Sequence, residues 1–153
     1  MDDMAMHSWL RKAHETSTWT TSVCTGSLIL GAAGVLQGLR ATSHWLALEQ
    51  LWAFGATPVA ERVVMDGKVV TGAGVSAGID MALFLAAQIV GIEVAQTIQL
   101  AIEYDPSPPF PGGGPDSAPA SSVAYLRANS RFVLRGEGRP ASRTARKWRL
   151  RST

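Results

Sequence analysis

The sequence predicts an α/β sandwich with a mostly parallel sheet, and three observations predict it. Short β-branched runs alternate with longer stretches whose apolar residues recur at helical spacing, an order that lays helices on both faces of a sheet. An Asp66-Gly67 pair between two Val-rich runs marks a tight hairpin, because both positions of such a turn tolerate positive φ. A length of 153 residues with 46% hydrophobic content fits one domain with a buried core.

The elements follow in chain order. In "MDDMAMHSWLRKAHETSTW", Met6, Trp9, Leu10 and Ala13 stand at i, i+3, i+4 and i+7, which predicts a helix with Asp2 and Asp3 placed to cap it and oppose its dipole. His7 and His14 fall on the other side and are expected to face solvent. "TWTTSV" predicts a strand over 19–23, and the small residues after it open a helix over 25–34, which Gly31 and Gly34 would loosen or end. "RATSHW" gives a very short strand; Trp45, Leu48, Leu51 and Trp52 give the next helix, closed by Gly55. The hairpin lies in "TPVAERVVMDGKVVTGAG". "VSAGIDMALFLAAQIVG" predicts a nearly all-apolar, buried helix, and "IEVAQTIQLAIEY" another, with Val94, Ile98 and Ala101 on one face and Gln96 and Glu103 turned away.

After Tyr104 the composition changes. "DPSPPFPGGGPDSAPASS" holds six prolines and three glycines in eighteen residues, so an extended loop or linker is expected. "SVAYLRANSRFVL" reads as a short helix, and "RGEGRPASRTARKWRLRST" has too few apolar residues to offset the entropy of ordering, so it is expected to be disordered. The chain thus divides at 1–120 and a basic tail, 121–153. Charge divides with it: the tail carries nine Lys or Arg against Glu137, a sum of +8, and residues 1–120 carry five against eleven acids, a sum of −6.

These balances exclude several function classes. Basic character confined to the tail does not make a domain-wide nucleic-acid surface, so no nucleic-acid partner is expected. Between Asp80 and Glu93 only 12 uncharged residues occur, where a membrane span needs about 20, so no membrane partner is expected either. One cysteine excludes an internal disulfide, and the acidic N-terminus is unlike a basic leader, which points to the cytoplasm. No HxxxH, CxxC or carboxylate cluster suggests a metal.

The chemistry-bearing candidate is Cys24, which stands where an apolar strand stops and small residues open a helix. A residue at such an elbow projects from the carboxyl edge of the sheet, and the helix start favours a thiolate; the alternative is a small buried hydrophobe. Gly26 and Ser27 would present the helix's first N–H groups. Thr25 and Ser27 either donate hydroxyl hydrogen bonds to charge developing on a substrate or serve capping and packing. His44 follows the short strand and would reach the same edge, either as a thiol-activating partner or as a cap for the next helix. "GAGVSAG", Gly72 to Gly78, has the spacing GxGxxxG, but Glu93 is placed within a helix, so these glycines read as a tight sheet-to-helix turn beneath Cys24. Asp80 reads as a dipole-compensating carboxylate.

"SVCTGSLILGAAGVLQGLRATSHW", "ERVVMDGKVVTGAGVSAGIDMAL" and "EVAQTIQLAIEYDPSPPFPGGGPDSAP" together resemble the DJ-1/PfpI superfamily, most closely its isonitrile hydratase branch, from about residue 9 to residue 119. The resemblance implies a flavodoxin-like three-layer sandwich, akin to class I glutamine amidotransferase domains, and a homodimer. It implies a lyase that adds water to an isonitrile, a small-molecule substrate, to give an N-substituted formamide. Cys24 matches the family's nucleophile, Thr25 the residue that assists it, and His44 a histidine near the cysteine; no cofactor is implied. Against that family the chain reads as N-terminally truncated. It lacks the first βα units, the glycine-rich turn of the anion site and the acidic residue that works with the cysteine, and its tail after Ser121 departs from the pattern. A second expectation is therefore a non-catalytic domain for sensing or dimerisation, since related domains are fused to AraC-type regulators.

Overall fold

Asp3 starts the first helix, α1 (Met4–Thr16), by accepting the N–H groups of Ala5 and Met6 at 3.0 Å each. The structure, a computed structural model, describes residues 3–130; Asp2 and the expected disorder of 131–153 lie outside the described residues. The helix turns a different face inward from the one its apolar spacing suggests. His7 is buried, Leu10, Arg11 and His14 are half-buried, and Trp9 is 64% exposed. Polar partners set this angle: Arg11 Nη1 donates to Ala33 O at 3.1 Å, and His14 Nδ1 lies 2.7 Å from Thr20 Oγ1. The two histidines expected in solvent therefore face the fold. Lys68, whose ammonium donates to the carbonyls of His14 and Ser17, closes the end of the helix.

Strand β1 (Thr20–Val23) runs into α2 (Gly26–Ala32), then β2 (Arg40–Ala41), a 3₁₀ helix (Leu48–Phe54) and β3 (Thr57–Pro58). The hairpin β4 (Val63–Asp66) and β5 (Val69–Gly72) leads to α3 (Ala77–Val90) and α4 (Ile92–Ala101), and α5 (Ala120–Asn129) follows the Pro/Gly segment. The main sheet has the order β1-β5-β4. β1 and β5 pair in parallel from Thr20↔Val69 to Val23↔Gly72, and β4 is antiparallel to β5. The short β2 and β3 pair in parallel beside it. Side chains join the two sheets: Thr42 N–H donates to Thr71 Oγ1 at 2.8 Å, and Arg40 N–H donates to Asp66 Oδ2 at 2.8 Å.

All four residues of β5 are buried, as a central strand covered on both faces requires. The core gathers Leu28, Leu30, Leu36, Leu51, Phe54 and Val69. Gly31 does not loosen α2 but admits Phe54, for a Cβ there would lie 2.8 Å from the ring. Gly34 (φ +84°) follows the helix end, and Gly55 (φ +75°) closes the 3₁₀ helix in the left-handed conformation.

Two expectations need correction. Asp66 pairs with Val69, so the hairpin loop is Gly67-Lys68 rather than Asp66-Gly67; Gly67 alone of the two has positive φ (+56°), the arrangement of a type II′ turn. The apolar helix read as buried is only partly so. α3 packs on β5 through Ala77 and Met81 and on α4, its middle residues Leu83, Phe84 and Leu85 are half-buried, and apolar residues at the end of α3 and along α4 stay exposed, with Leu100 at 81%. Ile89, Val90, Ile92 and Ile102 share that exposure. Among the described residues no helix is long and apolar enough to cross a membrane.

Candidate active site

Cys24 follows β1 directly with φ +59°, left-handed backbone that costs a non-glycine residue roughly 1–2 kcal/mol. Three hydrogen bonds hold it there. Its N–H donates to Gly72 O at 2.9 Å, one step beyond the last β1–β5 pair. Its carbonyl, turned inward by the left-handed step, accepts from Ser27 Oγ at 3.2 Å and Ser43 Oγ at 3.1 Å. Both hydroxyls are buried, and each such bond contributes about 1 kcal/mol, enough together to offset the strain. The thiol is free and half-buried, and among the described residues its sulfur makes no hydrogen bond.

The candidates around it separate by where their polar atoms point. Thr25 is the N-cap of α2 but makes no side-chain cap bond, so its hydroxyl is uncommitted, whereas Ser27 is fully buried and spent on the Cys24 carbonyl. Gly26 begins α2, ahead of the first backbone bond of the turn, from Leu28 N–H to Thr25 O at 3.0 Å. Its N–H and that of Ser27 are therefore orphan donors of the helix's first turn, two and three residues after Cys24.

His44 lies on the segment that Ser43 ties to the elbow, but among the described residues no hydrogen bond joins its ring to Cys24. Its Nδ1 accepts Leu46 N–H at 3.3 Å, which places the proton on Nε2, and burial pushes its pKa below the ordinary 6.5. The Nδ1 lone pair of His44 is thus engaged by Leu46, and Nε2 is the ring atom left to face a partner. Sequence reasoning missed Ser43, whose one signal was its place beside His44 after the short strand.

Two glycines of "GAGVSAG", Gly72 and Gly78, serve close packing, whereas a Cβ at Gly74 would meet nothing within 4 Å. Gly72 receives Cys24 N–H, a Cβ there would meet Ala77 O and Met81 Sδ at 3.4 Å, and one at Gly78 would lie 3.2 Å from Val23 Cγ1. Asp80, in the first turn of α3, does more than oppose a dipole. It accepts from Arg62 Nε at 2.5 Å and from Tyr104 OH at 2.6 Å. Burial pushes its carboxyl up, but the Tyr104 and Arg62 hydrogen bonds and the guanidinium charge outweigh that and hold it below the usual range. Among the described residues no group of three or more His, Cys, Asp or Glu is placed to hold a metal ion.

A DJ-1/PfpI family model matches residues 1–88. The chain belongs to the DJ-1/PfpI family. It is 46% identical over 151 residues to the isonitrile hydratase of Pseudomonas putida, an alignment covering 99% of this chain and 66% of that protein. That alignment reaches past Ser121, where the sequence motifs end. The HTH-type transcriptional regulator CdhR of Pseudomonas aeruginosa is 37% identical over 93 residues, 60% of this chain and 28% of that one. Among solved structures, a ThiJ/PfpI family protein from Pseudomonas syringae superposes with a TM-score of 0.84 at 39% identity, over 94% of this chain and 57% of that chain. The chain therefore spans at most about two thirds of the length of these relatives. Its fold is the flavodoxin-like α/β fold of the family.

Proposed function

We propose that this DJ-1/PfpI family member is an isonitrile hydratase-like lyase with Cys24 as its nucleophile. The observation that carries the reading is the elbow: a half-buried thiol on left-handed backbone between β1 and α2, in a chain 46% identical to an isonitrile hydratase. In the proposed reaction the Cys24 thiolate adds to the terminal carbon of R–N≡C, and that carbon takes up a proton to give the thioimidate R–N=CH–S–Cys24. Water adds to the imidate carbon, nitrogen is protonated, and the C–S bond breaks to release R–NH–CHO and the thiol. Substrate and water balance the reaction without a cofactor.

In this reading the Thr25 hydroxyl and the Gly26 N–H donate to charge developing on the substrate, and His44 lines the site. The substrate is a small molecule, and the protein acts in the cytoplasm. The exposed apolar residues of α3 and α4 support a homodimer.

The similarity to CdhR favours a second reading, a non-catalytic domain for sensing or dimerisation. It too has an observation behind it: among the described residues no carboxylate is hydrogen-bonded to Cys24. Formamide production from a simple isonitrile, measured beside Cys24→Ala with circular dichroism to confirm folding, decides between them. Turnover that disappears in the variant supports the lyase; a folded wild-type chain without turnover supports the second reading.

A further inference from the structure

The main sheet ends at β1, and that edge is unguarded. Thr20 and Cys24 donate their N–H groups to Lys68 O and Gly72 O, both at 2.9 Å, so Thr20 and Ser22 turn their backbone groups toward β5 while those of Thr21 and Val23 turn away from it. Among the described residues no strand pairs with that side. The edge strand β3 of the smaller sheet carries Pro58, whereas Thr20–Val23 holds neither proline nor a charged residue to discourage pairing. Ser22 lies against Gly26, where a Cβ would stand 3.5 Å from the serine Cβ, and its Oγ is buried with no hydrogen-bond partner among the described residues. A hydroxyl so placed needs a partner. Beside the same edge α3 sets Gly78 on Val23, and on that side of the helix Ala82 and Ile89, four and eleven residues further on, are exposed.

We infer that β1 pairs antiparallel with β1 of a second copy about a two-fold axis at Ser22; the inference rests on the homodimer reading and names its interface. The outward groups fix the register. Antiparallel residues that exchange both N–H···O bonds must both face the partner strand, so Thr21 pairs with Val23 of the partner subunit and Val23 with the partner's Thr21. Ser22 then stands opposite the partner's Ser22 as a non-hydrogen-bonded pair, the closer of the two kinds, with both side chains on one face of the sheet. One hydroxyl donates and the other accepts, which gives the buried Oγ its partner. On the opposite face the β-branched Thr21 and Val23 lie beside their counterparts, next to the exposed side of α3 and of its copy. A two-fold interface is self-complementary, so this one patch suffices for both chains. A strand from an unrelated protein satisfies the backbone of β1 equally, but it matches the Ser22 hydroxyl only by coincidence.

The test reads the register. In a Cys24→Ala background, Ser22→Cys and Thr21→Cys are oxidised with copper phenanthroline and compared on non-reducing gels, with circular dichroism to confirm folding. Across the axis two residues at position 22 have Cα atoms about 4.5 Å apart, within disulfide range, whereas two at position 21 are diagonal neighbours about 7–8 Å apart, beyond it. Ser22→Cys is therefore expected to give at least about tenfold more cross-linked dimer, although Thr21 is the more exposed position. Equal cross-linking, or a preference for Thr21→Cys, overturns the inference. Thr21→Pro removes an outward N–H and leaves the β5 ladder intact, so light scattering is expected to show a dimer that dissociates at least about tenfold more readily than the wild type. A dimer that ignores Thr21→Pro and does not cross-link through Ser22→Cys removes the β1 interface and leaves the homodimer. A monomeric wild type removes both, and leaves the edge to a strand from a different chain.

Discussion

Replacing Cys24 by glycine and by alanine measures the strain stored in the elbow. At an ordinary position glycine is less stable than alanine by roughly 0.5–1 kcal/mol, because it loses more backbone freedom on folding. At φ +59° the order is offset by the left-handed cost that alanine carries and glycine does not, roughly 1–2 kcal/mol. Thr25, the next residue, is also half-buried but has φ −71°, so it serves as the internal reference. Subtracting the Gly-minus-Ala difference at Thr25 from that at Cys24 cancels the entropy and lost-methyl contributions and leaves about 1–2 kcal/mol in favour of glycine at Cys24. Neither Cys24 variant removes the carbonyl that Ser27 and Ser43 hold, and neither retains a thiol. Urea unfolding of the four variants, compared at equal m-values, supplies the numbers. A double difference below about 0.5 kcal/mol would refute a strained elbow held by its hydrogen bonds.

Gly31→Ala puts a Cβ 2.8 Å from the ring of Phe54, which is only 6% exposed and has no room to withdraw. Overpacking of about 1–3 kcal/mol, less about 1 kcal/mol gained in helix propensity, predicts a net loss of about 0–2 kcal/mol by urea unfolding, reversed in sign when Phe54→Leu is already present. Ser43→Ala is expected to cost about 1 kcal/mol, and the double variant with Ser27→Ala more than the sum of the singles, because the Cys24 carbonyl then loses both of its hydroxyl donors. Asp80 has a carboxyl held below its ordinary 3.8, so its contribution to stability is full above that value and is lost as pH falls through the folded pKa. Unfolding curves from pH about 5 down to about 2 should therefore fall more steeply for the wild type than for Asp80→Asn; parallel curves would show that the Arg62 and Tyr104 contacts do not favour the ionised form.

Elements declared by local pattern were legible in the sequence. The strand at 20–23, the break at Cys24, the small residues of α2 and the glycine closing the 3₁₀ helix each have a physical signature within a few residues. What escaped depends on distant partners. The face of α1 is chosen by Ala33 and Thr20, and the hairpin moves by one residue because Asp66 is held in the strand by Arg40 N–H and by its pairing with Val69. Ser43 looks like any turn serine until the Cys24 carbonyl comes within 3.1 Å. The Pro/Gly segment has a linker's composition, and nothing within it announces that α5 comes to lie against Trp45.

The placement of Gly72 opposite Val23 also sets the order in which the chain acquires the Cys24 turn. β1 finds its parallel partner 49 residues later, at Thr20↔Val69, so that pairing must close a long loop before any ladder bond rewards it. The Cys24 turn takes one bond from Gly72 and another from Ser43, so it cannot be complete until β5 has docked and the segment after β2 has settled over it. During refolding, the thiol therefore takes up its final reactivity only after most of the sheet exists. Pulsed alkylation of Cys24 is then a clock for the last stage of folding rather than for the first collapse.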